Sequence, residues 1–420
     1  MLISFEVENY GCFYDRQEIS FVASTSKKEK NNDCLIESSG FKNHKLLPAM
    51  LIYGANASGK TQLIKAFVAT IKTILYSHTL GIGKKKIPTR KPFRLNKEAA
   101  NKPTTFEIHF VMDNIHYGYG FKFLEKEIIE EWLVSYPYSA PRVLFERKEQ
   151  SFSFGRHLKG QNRVIGKITR PNSLFLSAAA QNNHQLLSSI YTYFKEILVE
   201  SSLSTNSIHV ESEVSNDENI MLSDSIFEFF RNINSGIIGH RFIEKVIPKE
   251  ERIITDRINH AIEAILEDAQ ENYVLVAPPE KQKVLELEHS GLDQTHFPLT
   301  LESAGTLRLI SALPKIFDTL KRGGIILFDE FDAGLHTQAA EEVLKLFCDK
   351  QSNPHDAQLL ATTHNTNLLN LDFLRRDQVW FTEKDYYGTA RLYPLSDFKI
   401  RASDNLERGY LQGRFGAIPL

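Results

Sequence analysis

Three observations predict an α/β fold: a parallel-sheet core with an antiparallel sheet at its side, split by a mainly helical insertion. The apolar run Ala49-Met50-Leu51-Ile52-Tyr53 feeds a glycine-containing loop and then a helical pattern from Thr61 to about Leu75, a strand, loop, helix unit. Residues 105–154 alternate apolar and polar side chains across several turn signals, as an antiparallel meander does. Short apolar strands separated by helical stretches then return at Ile325–Phe328, Gln358–Thr362 and Gln378–Thr382.

In chain order, Leu2 to Val7 and Gln17 to Val22 read as short strands, and the polar stretch Ser24 to Ser39 reads as a loop. The meander resolves into Phe106 to Met112, a turn at Asp113-Asn114, Ile115 to Phe123, Ile128 to Ser135, and Arg142 to Phe154. Helical patterns dominate from Ser173 to Ala269, interrupted by the polar segment Ser201 to Asn219. The helix expected after residue 303 is apolar at Leu307, Ile310, Leu313 and Leu320, a core-facing stripe, with Pro314 expected to kink it. The organisation expected is a first lobe over 1–165, a mainly helical insertion over 166–285 and a second lobe over 286–420. No heptad pattern is long enough for an extended coiled-coil arm.

Composition narrows the function classes without choosing among them. The 50 basic residues nearly cancel the 52 acidic ones, so any nucleic-acid partner must be met by a local patch. The three cysteines, Cys12, Cys34 and Cys348, lack a CxxC spacing and offer neither a disulfide framework nor a zinc site. The N-terminus has no signal-peptide pattern, and no stretch approaches the roughly 20 apolar residues that span a bilayer, so a cytoplasmic address is expected.

Chemistry concentrates in three places. Gly54-Ala55-Asn56-Ala57-Ser58-Gly59-Lys60-Thr61 matches GxxxxGK[ST] at a strand-to-helix junction. There backbone N–H groups and a helix N-terminus cradle phosphate oxygens, Lys60 reaches the β and γ phosphates of ATP, and Thr61 ligates Mg²⁺. Ile325-Ile326-Leu327-Phe328-Asp329-Glu330 is an apolar strand ending in two carboxylates. Asp329 suits the metal and its water shell, and Glu330 suits a base that orients water for attack on the γ-phosphorus. His364 follows the strand Gln358–Thr362, where an imidazole can hydrogen-bond a γ-phosphate.

Glu302-Ser303-Ala304-Gly305-Thr306, ahead of the Asp-Glu strand, resembles the signature motif of ABC ATPases, and Asp329 to His336 is similar to the Walker B and D-loop of chromosome-maintenance ATPases. The resemblance implies an ABC-type P-loop NTPase core. In that family the signature segment, here Ser303 and Gly305, completes the ATP site of the opposite subunit, which implies a homodimer or higher homo-oligomer. Gln181, after the strand-like Ser173 to Leu176, takes by its order in the chain the place of the glutamine that senses Mg²⁺. Glu302, Thr306 and His336 depart from the usual residues. Tyr10 and Phe13 are the aromatic candidates for stacking on adenine.

These departures, with Trp380 to Asp385 and the C-terminal Tyr410 to Pro419, resemble bacterial RloA-like ATPases. Such proteins are often encoded beside an effector and act in defence against phage. The implied role is a sensor or regulator of a separately encoded effector protein. The alternatives are an ATPase acting directly on nucleic acid, or a nucleotide-dependent scaffold with little turnover. An OLD-type nuclease is disfavoured, because its catalytic domain would have to follow the ATPase and 56 residues follow His364. The basic run Lys84, Lys85, Lys86, Arg90, Lys91 and Arg94 reads either as a contact to nucleic-acid phosphates or as a solvated loop.

Overall fold

The computed structural model describes residues 1–25, 31–80, 86–138, 140–201, 223–249, 252–254, 257, 281–291, 293, 295–401 and 404–418. Lys84, Lys85, Pro419 and most of the polar segment Ser201 to Asn219 lie outside the described residues. The chain divides into two compact units, one of residues 1–202 and 316–420, the other of residues 203–315.

The first unit holds two main sheets. The seven-stranded sheet comprises β1 (Leu2–Glu8), β2 (Gln17–Ser20), β6 (Thr104–Met112), β7 (Ile115–Phe123), β8 (Ile128–Tyr136), β9 (Arg142–Lys148) and β10 (Ser151–Phe154). All its pairings are antiparallel, in the order β10-β9-β8-β7-β6-β1-β2. The run Arg142–Phe154, read as one strand, is a hairpin, because Glu149 takes a left-handed backbone (φ 52°) and turns the chain. Phe5, Phe106, Ile108 and Phe110 are fully buried on alternating positions, the period of a sheet with one dry face.

The second sheet carries the functional residues. Its order is β11-β15-β16-β5-β17-β18, with β11 (Leu198–Ser201), β15 (Ile325–Asp329), β16 (Gln358–Thr362), β5 (Ala49–Tyr53) and β17 (Val379–Lys384) parallel, and β18 (Ala390–Pro394) antiparallel at the edge. Every residue of β5 and β16 is buried, as strands covered on both faces require. Helix α1 (Lys60–Tyr76) leaves the carboxyl end of β5. Gln358 bonds the two sheets: its amide oxygen accepts from Leu2 N (2.5 Å), and its amide nitrogen donates to the carbonyls of Leu2 (3.0 Å) and Leu47 (3.2 Å). Strand β3 (Ile36–Glu37), in the stretch read as loop, pairs with β4 (Lys45–Leu46) in a small hairpin.

Helices α2 (Asn162–Ile168), α3 (Phe175–Gln181) and α4 (Gln185–Lys195) also belong to this unit. Ser173 to Leu176, read as strand-like, instead enters α3. The reason is a buried carboxylate: Glu131 of β8 accepts the N–H groups of Phe175 (2.7 Å) and Leu176 (3.0 Å), binding the helix N-terminus to the sheet. Burial raises the Glu131 pKa, and the neighbouring Arg147 opposes that rise.

The second unit contains α5 (Asp224–Asn232) and a three-stranded antiparallel sheet of β12 (Ile237–Val246), β13 (Lys281–His289) and β14 (Thr295–Pro298). Residues 237–246 were expected to be helical. They pair instead with β13, a partner distant in sequence that local pattern does not reveal. Helix α6 (Ala304–Arg322) runs through Pro314 as one element. Helices α7 (Thr337–Cys348) and α8 (Leu406–Leu411) belong to the first unit. No helix among the described residues is long and apolar enough to cross a membrane.

Candidate functional site

The site forms where β5, β15 and β16 end side by side, since parallel strands present all their carboxyl ends at one edge. Tyr53, Asp329 and Thr362 are the last residues of these strands, so one rim holds the start of the phosphate loop, an acid and a hydroxyl.

The loop geometry needs its glycines. A Cβ on Gly54 would fall 2.4 Å from the carbonyl oxygen of Thr382 and 2.5 Å from Ser58 Oγ. On Gly59, at φ 129°, it would press on Cys12 Sγ at 3.0 Å. Between them Asn56 and Ala57 are exposed, and Ala57 takes a left-handed backbone at φ 62°. The Thr382 hydroxyl donates to Ser58 O (3.2 Å), holding the loop against β17. Lys60 is buried, and its ammonium group donates to the carbonyls of Gly54 (2.6 Å) and Ala55 (3.0 Å). Burial pushes its pKa down to about 8, while the carboxylates of Glu330, Asp329 and Asp332 pull the other way.

The metal-side residues meet at one carboxylate oxygen. Thr61 Oγ1 donates to Asp329 Oδ1 at 3.2 Å, and Thr362 Oγ1 donates to the same oxygen at 2.7 Å. Thr362 Oγ1 in turn accepts the backbone N–H of Glu330 at 2.7 Å, and the N–H of Phe331 donates to Thr362 O at 3.1 Å. Glu330 sits at φ 52°, a left-handed conformation uncommon outside glycine and concentrated at functional positions. His364 is exposed beside this group. Partial desolvation by its neighbours lowers its pKa and Lys60 lowers it further, against Asp332, Glu330 and Asp329, so these five side chains sense one another.

These residues fit a triphosphate with Mg²⁺. Ser58 Oγ is buried and has no hydrogen-bond partner among protein atoms, an orphan that a phosphate oxygen would satisfy. A threonine hydroxyl sharing an aspartate oxygen is the hard-oxygen set that Mg²⁺ takes.

Of the expected residues, Gly54 to Thr61, Asp329, Glu330 and His364 are brought together. Gln181 is not. It ends α3 near Tyr191, whose hydroxyl donates to Leu75 O (2.8 Å) at the far end of α1. That is roughly 22 Å along the helix from Lys60. Tyr10 and Phe13 are also excluded as adenine platforms, because both are buried at 2% and 0% exposure, with Tyr10 packed on Phe106. In the second unit, exposed Ser303 caps α6: its hydroxyl accepts Thr306 N (3.1 Å), and Gly305 lies in the first helical turn. Glu302 pairs there with His289 at 2.7 Å. His336 caps α7 by accepting Gln338 N at 3.3 Å.

Two groups had no place at the site in the sequence reading, although the C-terminal Tyr410 to Pro419 was noted for its resemblance. Thr362 looks like any strand threonine, its one signal being its place beside Thr363-His364. The C-terminal segment is the other: Tyr410 stacks on Phe381 (5.5 Å) and packs edge-on to Tyr53 (5.9 Å), and Glu407 accepts from Thr366 (2.7 Å) and Asn370 (3.1 Å) in the loop after His364.

A phosphate loop on a central strand of a mainly parallel sheet, faced by an acid pair at the end of β15 with β16 between them, defines a P-loop nucleotide-binding protein. Residues 49–370 match the family described as "AAA domain, putative AbiEii toxin, Type IV TA system", and the chain belongs to that family. Among solved structures it is similar to the SMC head domain from Thermotoga maritima, at 14% identity over 95% of this chain and 99% of that chain, with a TM-score of 0.41. No curated protein matches it.

Proposed function

We propose that the chain hydrolyses ATP with Mg²⁺, using Thr61 and Asp329 to hold the metal, Lys60 and the loop amides to hold the phosphates, and Glu330 to orient the attacking water. The observation that carries this reading is the junction at Thr362, which ties the metal acid and the base into one hydrogen-bonded unit. His364, at the edge of the same cluster, would contact the γ-phosphate. When bound, Mg²⁺ would neutralise charge developing on the β and γ phosphates.

Ser303 and Gly305 would act in trans on the ATP of a second copy, so turnover would require a head-to-head dimer. The support is an exposed helix N-terminus with the signature pattern. The role we infer is that of an RloA-like, cytoplasmic sensor or regulator controlling a separately encoded effector in defence against phage. The family's description, which speaks of a toxin in a toxin–antitoxin system, favours an effector-linked role over a chromosome-type one.

The test is ATP turnover against protein concentration, for the wild type and Ser303→Arg. Specific activity that rises with concentration and disappears in Ser303→Arg supports the composite site. Activity independent of concentration and of residue 303, in a protein shown to be monomeric, would refute it.

A further inference from the structure

A groove runs along the outer side of α1, beyond the phosphate loop, with a volume of about 480 Å³. Its apolar lining includes Val68, Leu80 and Ile87, and Thr73 Oγ1 bonds Thr89 Oγ1 at 2.6 Å to join the helix to the opposite wall. Lys65, Lys72 and Lys91 also line it, all exposed. Positions 65, 68 and 72 recur at helical spacing, so one stripe of α1 supplies both apolar surface and charge.

The three ammonium groups share one groove with no counter-charge, whereas Lys86 meets Glu125 at 2.6 Å and Lys122 meets Glu130 at 2.8 Å. Lys65, Lys72 and Lys91 have no carboxylate partner among the described residues, and none of the groove's lining residues is acidic. The basic run noted in the sequence is therefore divided. Lys86 is neutralised, Arg90 is tied to the carbonyls of Ala100 and Lys102 (2.9 Å each), and Lys91 turns to the groove.

Converging unpaired cations over an apolar floor favour a ligand with a flat apolar body and an anionic end. The volume falls within the range of about 300–1,000 Å³ that small-molecule sites occupy. We propose that this groove is a second ligand site, separate from the phosphate loop, for an aromatic phosphate monoester of about nucleoside-monophosphate size. The ring lies on Val68, Leu80 and Ile87, and the phosphate meets Lys65, Lys72 and Lys91. Because α1 also begins at Lys60 and Thr61, such a ligand and ATP would share one helix.

The test is isothermal titration of the full chain with 1-naphthyl phosphate, with 1-naphthol as the uncharged control. One site per chain is expected, retained in Lys60→Ala. Each of Lys65→Ala and Lys72→Ala should weaken binding by about tenfold, the value of one charge-assisted contact. Val68→Trp, which fills the floor and keeps the charges, should abolish it. Equal affinity in the Lys65→Ala/Lys72→Ala double variant, or naphthol binding as tightly as its phosphate, would overturn the proposal. So would lysine-dependent binding of a 12-mer oligothymidylate with no binding of naphthyl phosphate, which would make the surface a nucleic-acid track.

Discussion

Replacing Thr362 by valine keeps the side-chain volume and removes one hydroxyl that serves two groups. Its bond to Asp329 Oδ1 (2.7 Å) is to a charged acceptor, and losing such a bond costs about 1.5–3 kcal/mol. Its acceptance of the Glu330 N–H (2.7 Å) is lost as well, for about 1 kcal/mol. Not all of this falls on catalysis, because Thr61 still bonds Asp329 at 3.2 Å. Assigning about 3 kcal/mol to the reacting complex predicts a fall in kcat of about a hundredfold. The half-saturating Mg²⁺ concentration should rise as well, since the aspartate loses the partner that aims it. The assay is steady-state ATP hydrolysis over a Mg²⁺ series, with thermal unfolding recorded in parallel and Thr362→Ser expected to recover most of the rate. Wild-type kcat and Mg²⁺ dependence in a folded Thr362→Val protein would refute the reasoning.

Lys60 provides a proton signature. With its pKa near about 8, about half the chains carry a neutral Lys60 at pH 8, and a bound triphosphate raises that pKa. ATP binding should therefore take up about half a proton at pH 8 and much less at pH 6.5, where Lys60 is already charged; calorimetry in buffers of different ionisation enthalpy reads this directly, and equal uptake at both values would contradict it. Glu131→Gln strands the buried Arg147 and should cost the chain about 3–5 kcal/mol, seen as a lowered denaturation midpoint. Gln181→Ala should leave the Mg²⁺ dependence of ATP turnover unchanged, since Gln181 sits at the other end of α1; a clear shift would restore it as a metal sensor. Glu330→Gln should accumulate as an ATP-bound dimer by light scattering, and a monomer at saturating ATP would count against the composite site.

The α/β core was legible because its signals are local. Five consecutive buried apolar residues followed by a glycine loop and a helix-period pattern leave little freedom, and β5 and α1 fall where those residues place them. The meander was legible for the same reason, with Ile115–Phe123 recovered to the residue. What escaped depends on distant partners. Residues 237–246 become a strand because Lys281–His289 pairs with them. Ser173–Leu176 becomes the start of a helix because Glu131, on another strand, binds its amides. Gln181 was placed by motif order alone, and order carries no distance. Thr362 escaped for the opposite reason, since a strand threonine is ordinary until the acid beside it is known.

The C-terminal segment then acquires a physical role. Glu407 holds Thr366 and Asn370, in the turn that directly follows His364. Tyr410 rests on Tyr53, the last strand residue before the phosphate loop, and the Tyr53 hydroxyl donates to Asn365 O at 3.2 Å. Phe415 stacks on Phe381 in the neighbouring β17, and Tyr393 donates to Phe415 O at 3.0 Å. The helix α8 is only six residues long, too short to be stable by itself, so these contacts are what order it. Asn365 and Thr366, which follow His364, are thereby joined to Tyr53 and to α8. The segment thus links the phosphate loop's strand to the turn after His364.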